Sequence, residues 1–306
     1  MANKRNRTAG LVLAAAVLGI LVWRPTVLIY GLQAAGLYAS IAIPMGLILG
    51  IVHIVNLAHG EFMMAASYLT YTICRASGMD PYLALLPVAA VTAAFGFLVY
   101  RLTIRRALKA PELNQLILTF GLAILLTQAA NLLFTSQTRK LSFEYVSASV
   151  DIGDLSFGVY NFVFVAIAVA MVVGLRLFLT RTKAGKAALA VGQNPRGAAI
   201  VGIDVDRAYA LTFALASAMV GLMGAVFITR SSIFPAVGSP FTMKSFCLIA
   251  MAGIGNIPGI LASSVLLGVS ENFLKAFRGT REWADIVFFV LIISVILGRS
   301  IRGKKA

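Results

Sequence analysis

Long apolar stretches constrain this chain more than any other feature of its sequence. A membrane-crossing helix needs about 20 mostly apolar residues. Stretches that meet or approach this length cover residues 10–29, 31–51, 61–74, 82–100, 113–135, 157–178, 208–229, 241–273 and 283–298. Charged residues make up 12% of the chain, whereas soluble domains carry roughly 25%. Because no stretch alternates over about ten residues as a barrel strand does, the sequence predicts an all-α polytopic membrane protein with a single transmembrane domain over residues 1–306.

The basic residues are concentrated in four segments, which predicts the orientation of the chain. These segments are residues 4–7, 101–112, 176–207 and 299–305, and together they carry nearly all of the net charge of +15. Positively charged residues collect on the cytoplasmic side of membrane proteins, so we predict cytoplasmic N- and C-termini. The charge then indicates topology and contact with anionic membrane lipid, and nucleic acid is not expected as a partner.

A parity argument predicts that the stretch 241–273 is not one span. Two segments on the same side of the membrane are separated by an even number of crossings, but three apolar stretches lie between the third and fourth basic segments. The stretch 241–273 contains the helix-breaking residues Gly253, Gly255, Pro258 and Gly259. We therefore expect about eight full spans plus two short or half helices around this break. Non-helical backbone at membrane depth is tolerated only beside protein or a water-filled cavity.

The sequence lacks the motifs of the common membrane enzymes. It has no phosphate-binding loop and no H-E-x-x-H zinc motif, and no Ser/His/Asp set stands out. His53 and His59 lack partners for a metal site, and Cys74 and Cys247 suggest neither a disulfide framework nor metal-ligand spacing. We therefore expect no enzyme activity, no cofactor and no metal, and transport or conduction is the default function.

The stretch 54–64 joins two apolar segments and carries unusual polar residues. In the structural interpretation Asn56 caps a helix, Gly60 permits a tight bend and Glu61 lies favourably in a first helical turn. In the functional interpretation His59 and Glu61 line or gate a pathway, because a carboxylate near the bilayer interior usually faces protein or water. Both interpretations remain open at this point.

The segment 181–207 is the longest polar stretch on the predicted cytoplasmic face. Asn194 followed by Pro195 is typical of a helix start, and Gly202 is a plausible stop. The short helix between them carries the small and apolar residues Ala198, Ala199, Ile200 and Val201, which suits insertion into a groove on a soluble partner. The alternative is a helix that lies on the lipid surface. Asp204 or Asp206 is expected to cap the next span.

These three stretches, in this order and at these separations, resemble the permease subunit of branched-chain amino-acid ABC importers, the LivH type of binding-protein-dependent permease. The similarity runs from about residue 31 to residue 299, and its most specific part is the block from Asn56 to Glu61. The other matching blocks are Gly36-Leu37-Tyr38-Ala39, Gly185-Lys186-Ala187, Gly202-Ile203-Asp204-Val205-Asp206-Arg207, Ala210-Leu211-Thr212-Phe213, Gly253-Ile254-Gly255-Asn256-Ile257-Pro258-Gly259 and Leu267-Gly268-Val269-Ser270-Glu271.

The resemblance implies a multi-pass protein of the bacterial inner membrane that imports solute by ATP-driven alternating access. It implies a second homologous permease chain, two cytoplasmic ATPase subunits and a periplasmic or lipid-anchored solute-binding protein as partners. It also implies that residues 186–203 form the coupling region. Pro195 departs from the family pattern. The coupling residues that the resemblance and the local pattern together select are Lys186, Asn194, Pro195, Arg196, Ala198, Ala199 and Gly202.

Rival functions remain open from the sequence. Urea and short-amide importers use closely related permeases with the same block at 56–61, and the apolar spans do not discriminate leucine from urea. A stand-alone channel or secondary transporter is a more distant possibility, because Asn56 and Asn194 are faintly similar to the paired asparagines of water channels. A membrane scaffold would leave the segment 181–207 unexplained. Neighbouring genes for ATPase subunits and a secreted binding protein would discriminate among these functions.

Overall fold

A computed structural model describes residues 25–277 apart from 148, 153–154, 159 and 161, together with isolated positions beyond 277. The predicted span 10–29 lies outside the described residues except for 25–29, which belong to the next helix. Half of the positions of the predicted span 283–298 lie outside them, and so do both termini. Neither the total of eight spans nor the side on which the termini lie is tested by the described part of the chain.

Helices make up most of the described chain. They are α1 (Pro25–Ile51), α2 (His59–Ser77), α3 (Leu85–Val99), α4 (Glu112–Phe134), α5 (Phe162–Arg181), α6 (Lys183–Gln193), α7 (Pro195–Ile200), α8 (Val205–Arg230), α9 (Ser239–Ala252) and α10 (Ile257–Lys275). A π-helical turn (Tyr100–Ile104) and a short helical turn (Arg105–Ala107) extend α3. Six of the described helices are long and apolar enough to cross a membrane, namely α1, extended α3, α4, α5, α8 and α10. The prediction of a multi-pass helical membrane protein is confirmed.

The all-α class is confirmed for the described chain as a whole, but the sequence did not predict a short hairpin between α4 and α5. Strands β1 (Ser149–Ile152) and β2 (Leu155–Gly158) pair antiparallel, with Ser149 opposite Gly158 and Ile152 opposite Leu155. Residues 157–158, predicted to begin a span, belong to β2, and α5 begins at Phe162. The Gln33 side chain on α1 donates a hydrogen bond to the Gly158 carbonyl at 3.1 Å, which joins the hairpin to the helices.

Two long buried helices, α1 and α8, form the centre of the bundle. Helix α10 packs along α1, and α2 and α3 pack along α8. Small residues permit this close packing: a Cβ on Gly268 of α10 would overlap the Gly31 carbonyl of α1. Helix α4 lies at the periphery and leaves large apolar side chains exposed, including Leu132 and Leu133. Several buried polar side chains, including His59, Glu61, Thr242 and Glu271, lie on α2, α9 and α10 around this centre.

The predicted interruption of the stretch 241–273 is confirmed, although it is shorter than predicted. Helix α9 ends at Ala252, and the backbone turns through Gly253 and Gly255, whose φ values of +94° and +75° favour glycine. The Asn256 side chain then accepts a hydrogen bond from the Gly259 N–H at 3.1 Å and caps α10. Pro258 and Gly259 belong to the first turn of α10, where proline is tolerated because the N–H groups have no partner within the helix. Helix α9 is short, but α10, with 19 residues, has the length of a span.

The linkers at the end opposite α6 and α7 are tied to one another. Arg139 and Ile233 exchange backbone hydrogen bonds of 2.8 Å, which joins the α4–α5 linker to the α8–α9 linker. The Tyr145 hydroxyl donates to the Asp80 carboxylate at 2.9 Å. Burial, followed by this hydrogen bond, raises the pKa of Tyr145 above its usual value. The hydroxyl therefore remains a donor across the physiological pH range.

Candidate functional site

The start of α2 is buried in the centre of the bundle. The side chains of Asn56 and His59 are 2% and 1% exposed. The Asn56 side chain accepts a hydrogen bond from the Ala58 N–H at 3.1 Å, which fixes the turn before the helix. The His59 Nε2 atom lies 2.8 Å from the Ile41 carbonyl on α1. The His59 contact joins the start of α2 to α1, whereas Asn56 lies in the turn and does not cap α2, whose N-cap residue is Ala58.

Gly60 and Glu61 lie where α2 crosses the start of α9. The Thr242 hydroxyl of α9 accepts a hydrogen bond from the Gly60 N–H at 2.7 Å and lies 3.4 Å from the Glu61 carboxylate. Thr242 thus satisfies one of the unpaired N–H groups at the start of α2. A Cβ on Gly60 would overlap the Gly238 carbonyl, and a Cβ on Gly238 would lie 2.5 Å from the Gly60 carbonyl carbon. The two backbones are therefore in direct contact at this crossing.

We expect Gly60→Ala to reduce the amount of folded protein sharply, because the added methyl group has no space against the Gly238 backbone. Overpacking of this kind costs about 1–3 kcal/mol. Gly121→Ala is the matched control, since a Cβ there meets nothing within 4 Å. Fluorescence-detected size-exclusion chromatography after a temperature series measures the difference. Equal thermal stability of the two variants would contradict the contact.

A buried ionic network connects α1, α9 and α10. The Glu271 carboxylate is 2% exposed. It accepts hydrogen bonds from the Tyr38 hydroxyl at 2.6 Å, from Lys275 Nζ at 2.7 Å and from Lys244 Nζ at 3.2 Å. Lys244 Nζ also donates to the Tyr38 hydroxyl at 3.0 Å. Two cations therefore share one carboxylate inside a membrane bundle, where ionisable residues are costly and usually functional.

The sequence analysis identified Tyr38 and Glu271 only as parts of matching blocks, and it missed Lys244 altogether. The signal that could have found Lys244 is its position inside the apolar stretch 241–273. A lysine there needs a carboxylate partner within reach, and Glu271 is the acidic residue of the same stretch. The third member could not be found in this way, because Tyr38 lies 233 residues before Glu271.

The segment 181–207 folds into two short helices with defined caps. Thr182 caps α6 by accepting a hydrogen bond from the Gly185 N–H at 2.9 Å. Asn194 caps α7 through the Gly197 N–H at 3.0 Å, with Pro195 as the first helical residue, as predicted. Gly202 ends α7 with a φ of +84°. Asp204, and not Asp206, caps α8 through the Arg207 N–H at 2.9 Å.

The exposed surface of this segment differs from the prediction at one residue. Lys186, Arg196, Ala199 and Gly202 are exposed, as a docking surface requires. Ala198, however, is 5% exposed, because it packs against Val191 and Ala208. The most exposed large apolar side chains of this segment are those of Ile200 and Val201, at 86% and 75%, and Leu189 on α6 is 37% exposed. The apolar surface that α7 offers to a partner is therefore made by Ile200 and Val201, which the sequence analysis placed in this helix but did not include among the coupling residues.

The chain is similar to a known family of membrane proteins over most of its length. A family model described as "Branched-chain amino acid transport system / permease component" matches residues 27–296. No solved structure is significantly similar to the chain.

Individual relatives cover most of both chains. The high-affinity branched-chain amino acid transport system permease protein BraD of Pseudomonas aeruginosa is 29% identical, over 89% of this chain and 92% of the relative. The corresponding permease protein LivH of Escherichia coli K12 is 29% identical, over 87% of this chain and 91% of the relative. The fructose import permease protein FrcC of Rhizobium meliloti is 26% identical, over 82% of this chain and 72% of the relative.

Proposed function

The chain belongs to the family of branched-chain amino acid transport permeases, and from this we propose that it is the membrane-spanning subunit of an ABC importer for branched-chain amino acids. The observation that carries the proposal is the family match over residues 27–296, together with relatives such as BraD that align along nearly their whole length. A urea or short-amide importer is the alternative within the same architecture, because the apolar spans do not select between these solutes.

We propose that α6 and α7 lie on the cytoplasmic side of the bacterial inner membrane. The ends of α3 and α5 and the starts of α4 and α8 lie on this same side, and they carry an excess of basic residues. The described linkers at the opposite end carry charges of both signs. Arg75, Arg139 and Lys140 lie there with Asp80.

We propose that α7 docks into a groove on a cytoplasmic ATPase subunit. The support is its composition: a capped helix presents Ile200 and Val201 to the outside, next to the cations Lys186 and Arg196. A soluble partner with an apolar groove rimmed by acidic groups fits this surface. A second permease chain, two such ATPase subunits and an external solute-binding protein complete the proposed assembly.

We propose that motion passes from α7 to the centre of the bundle through α8 and α1. Ala198 on α7 packs against Ala208 on α8, and α8 packs along α1, α2 and α3. Helix α9 is short and is flanked by the break at 253–256, so it can tilt without bending a full span. Closure of the two ATPase subunits on ATP would then rock the helices between outward- and inward-open arrangements.

Uptake of labelled leucine in cells with and without the gene tests the proposed function. We expect uptake that requires both the gene and ATP, and that excess isoleucine or valine reduces by at least tenfold, since these solutes compete for one route. If deletion of the gene abolishes urea uptake and leaves leucine uptake unchanged, the transported solute is urea. Gene-dependent uptake that survives ATP depletion would contradict the ABC importer.

A further inference from the structure

Four basic side chains meet in one cavity at the cytoplasmic end of α3. Arg101, Arg105, Arg106 and Lys109 line this cavity of about 330 Å³. A π-helical turn places residues five apart above one another. The turn Tyr100–Ile104 therefore adds Arg106 to the face that the other three residues occupy at α-helical spacing. The result is a concentrated positive site at the end of a membrane-spanning helix.

The positive charge of this cavity is only partly neutralised. Asp206, in the first turn of α8, accepts from Arg101 at 3.1 Å and from Arg105 at 2.9 Å. Arg106 and Lys109 form no ion pair with the described residues, and the Arg106 guanidinium donates only to the Leu102 carbonyl at 3.4 Å. One carboxylate thus faces four cations. The excess positive charge favours binding of a negatively charged ligand in this cavity.

A second cavity continues from the first and is partly apolar. It has a volume of about 550 Å³ and lies between α3 and α8. It shares Arg101 and Arg105 with the basic cavity, and Phe97 and Leu211 line its apolar part. Its remaining charged lining residues are Asp204, Asp206 and Arg207. Phe97 and Leu211 are substantially exposed, at 39% and 40%. A soluble anion would use only the basic cavity, whereas an amphipathic anion would use both.

We propose that this pair of cavities binds one anionic phospholipid, with its phosphate among Arg101, Arg105, Arg106 and Lys109 and an acyl chain along Phe97 and Leu211. Basic pockets between membrane helices on the cytoplasmic side recognise acidic lipid headgroups in this way. The exposed apolar side chains of Leu98 and Leu102 on α3 place the site at the edge of the hydrocarbon region. The proposal goes beyond transport, since it requires only that the chain is embedded in a membrane.

The site also adjoins the segment that we assign to ATPase docking. Asp206 follows Asp204, the cap of α8, and it binds the same arginines that a lipid phosphate would contact. The Tyr100 hydroxyl donates to Asp206 at 2.9 Å and holds the carboxylate in place when the arginines turn toward a phosphate. A bound lipid therefore lies directly against the start of α8.

Lipid binding is tested with the purified permease complex in nanodiscs, using tetraoleoyl cardiolipin and dioleoylphosphatidylglycerol as probes and phosphatidylcholine as the neutral background. The pocket variant is Arg106→Gln with Lys109→Gln, which leaves the ion pairs of Asp206 intact. The matched control is Arg176→Gln with Lys183→Gln, which removes two basic residues of the same face outside the cavity. Because each basic side chain near an acidic headgroup contributes about fivefold in affinity, we expect the pocket variant to bind the acidic lipid about 25-fold more weakly than the control, by native mass spectrometry.

Three outcomes would overturn the proposal. Equal retention of acidic lipid by the pocket and control variants would show that the cavity does not hold it. Displacement of the lipid by inorganic phosphate, with glycerophosphate binding as tightly as the lipid, would identify a site for a soluble phosphate. Loss of the ATPase subunits from the pocket variant, with lipid retention unchanged, would identify the basic cavity as a protein-docking surface.

Discussion

Replacement of Glu271 by leucine is expected to destabilise the folded protein by about 3–5 kcal/mol, the cost of leaving a buried charge without its partner. Lys244 is only 18% exposed at its side chain and would lose its carboxylate, whereas Lys275, 44% exposed, can turn toward water. The Tyr38 hydroxyl would also lose its acceptor at 2.6 Å. The measurement is thermal unfolding of the purified complex in detergent, together with the yield of monodisperse protein.

Two further variants distinguish the stability cost of leaving Lys244 unpaired from the cost of replacing any side chain in this region. Lys244→Met combined with Glu271→Leu removes both buried charges, so the double variant is expected to regain most of the stability lost in the single variant. Lys275→Met is the matched control, and it is expected to cost less than about 1 kcal/mol because this lysine is largely solvated. A double variant no more stable than Glu271→Leu alone would show that the Lys244–Glu271 ion pair does not determine the effect.

Leucine uptake by the double variant Lys244→Met with Glu271→Leu tests whether the ionic network takes part in transport. If the ionic network only fastens α9 to α10, a variant with normal stability is expected to regain leucine uptake. If the solute passes the charged groups, uptake is expected to stay low while stability recovers. Measuring stability and uptake on the same preparation therefore assigns the network to structure or to the pathway.

Local signals in the sequence predicted the local structure well. Asn194 with Pro195 gives the start of α7, Gly202 gives its end, and the glycines at 253 and 255 give the end of α9, because each of these residues acts on its own backbone. The prediction that Pro258 and Gly259 belong to the helix break was wrong. Both residues lie in the first turn of α10, where proline and glycine are tolerated once Asn256 caps the helix. The same residue types break a helix or begin one, and only the cap decides which.

Contacts between distant segments could not be predicted in the same way. The Gly60–Gly238 crossing, the Lys244–Glu271 ion pair and the inward position of Ala198 depend on how helices pack, and apolar periodicity is weak in helices that lipid and protein both surround. The hairpin was missed because its strands are only four residues each and one of them adjoins the apolar stretch that begins α5. The fold class and the short capped helices of the segment 181–207 were therefore predictable, whereas the buried ionic network was not.

Replacement of Ile200 by aspartate is expected to lower ATP-dependent leucine uptake by at least tenfold while the chain remains folded and inserted. Ile200 is 86% exposed on α7, so an aspartate there costs little stability, but it would place a charge in the apolar groove of a docked ATPase subunit. Uptake in vesicles, corrected for the amount of inserted permease, measures the effect. Leu113→Asp is the control, because it adds a carboxylate to an exposed first helical turn on the same face.

Ala198→Asp makes the assignment of this surface falsifiable, because Ala198 lies on the opposite side of the same short helix. Its aspartate would be forced against Val191 and Ala208, and it is therefore expected to reduce the amount of folded protein before it affects coupling. Co-purification of the ATPase subunits should be lost in Ile200→Asp and retained in whatever Ala198→Asp protein folds. Normal co-purification and uptake in Ile200→Asp would show that α7 does not dock through Ile200. Two aspartates placed two residues apart thus separate the surface that contacts a partner from the surface that holds α7 on the bundle.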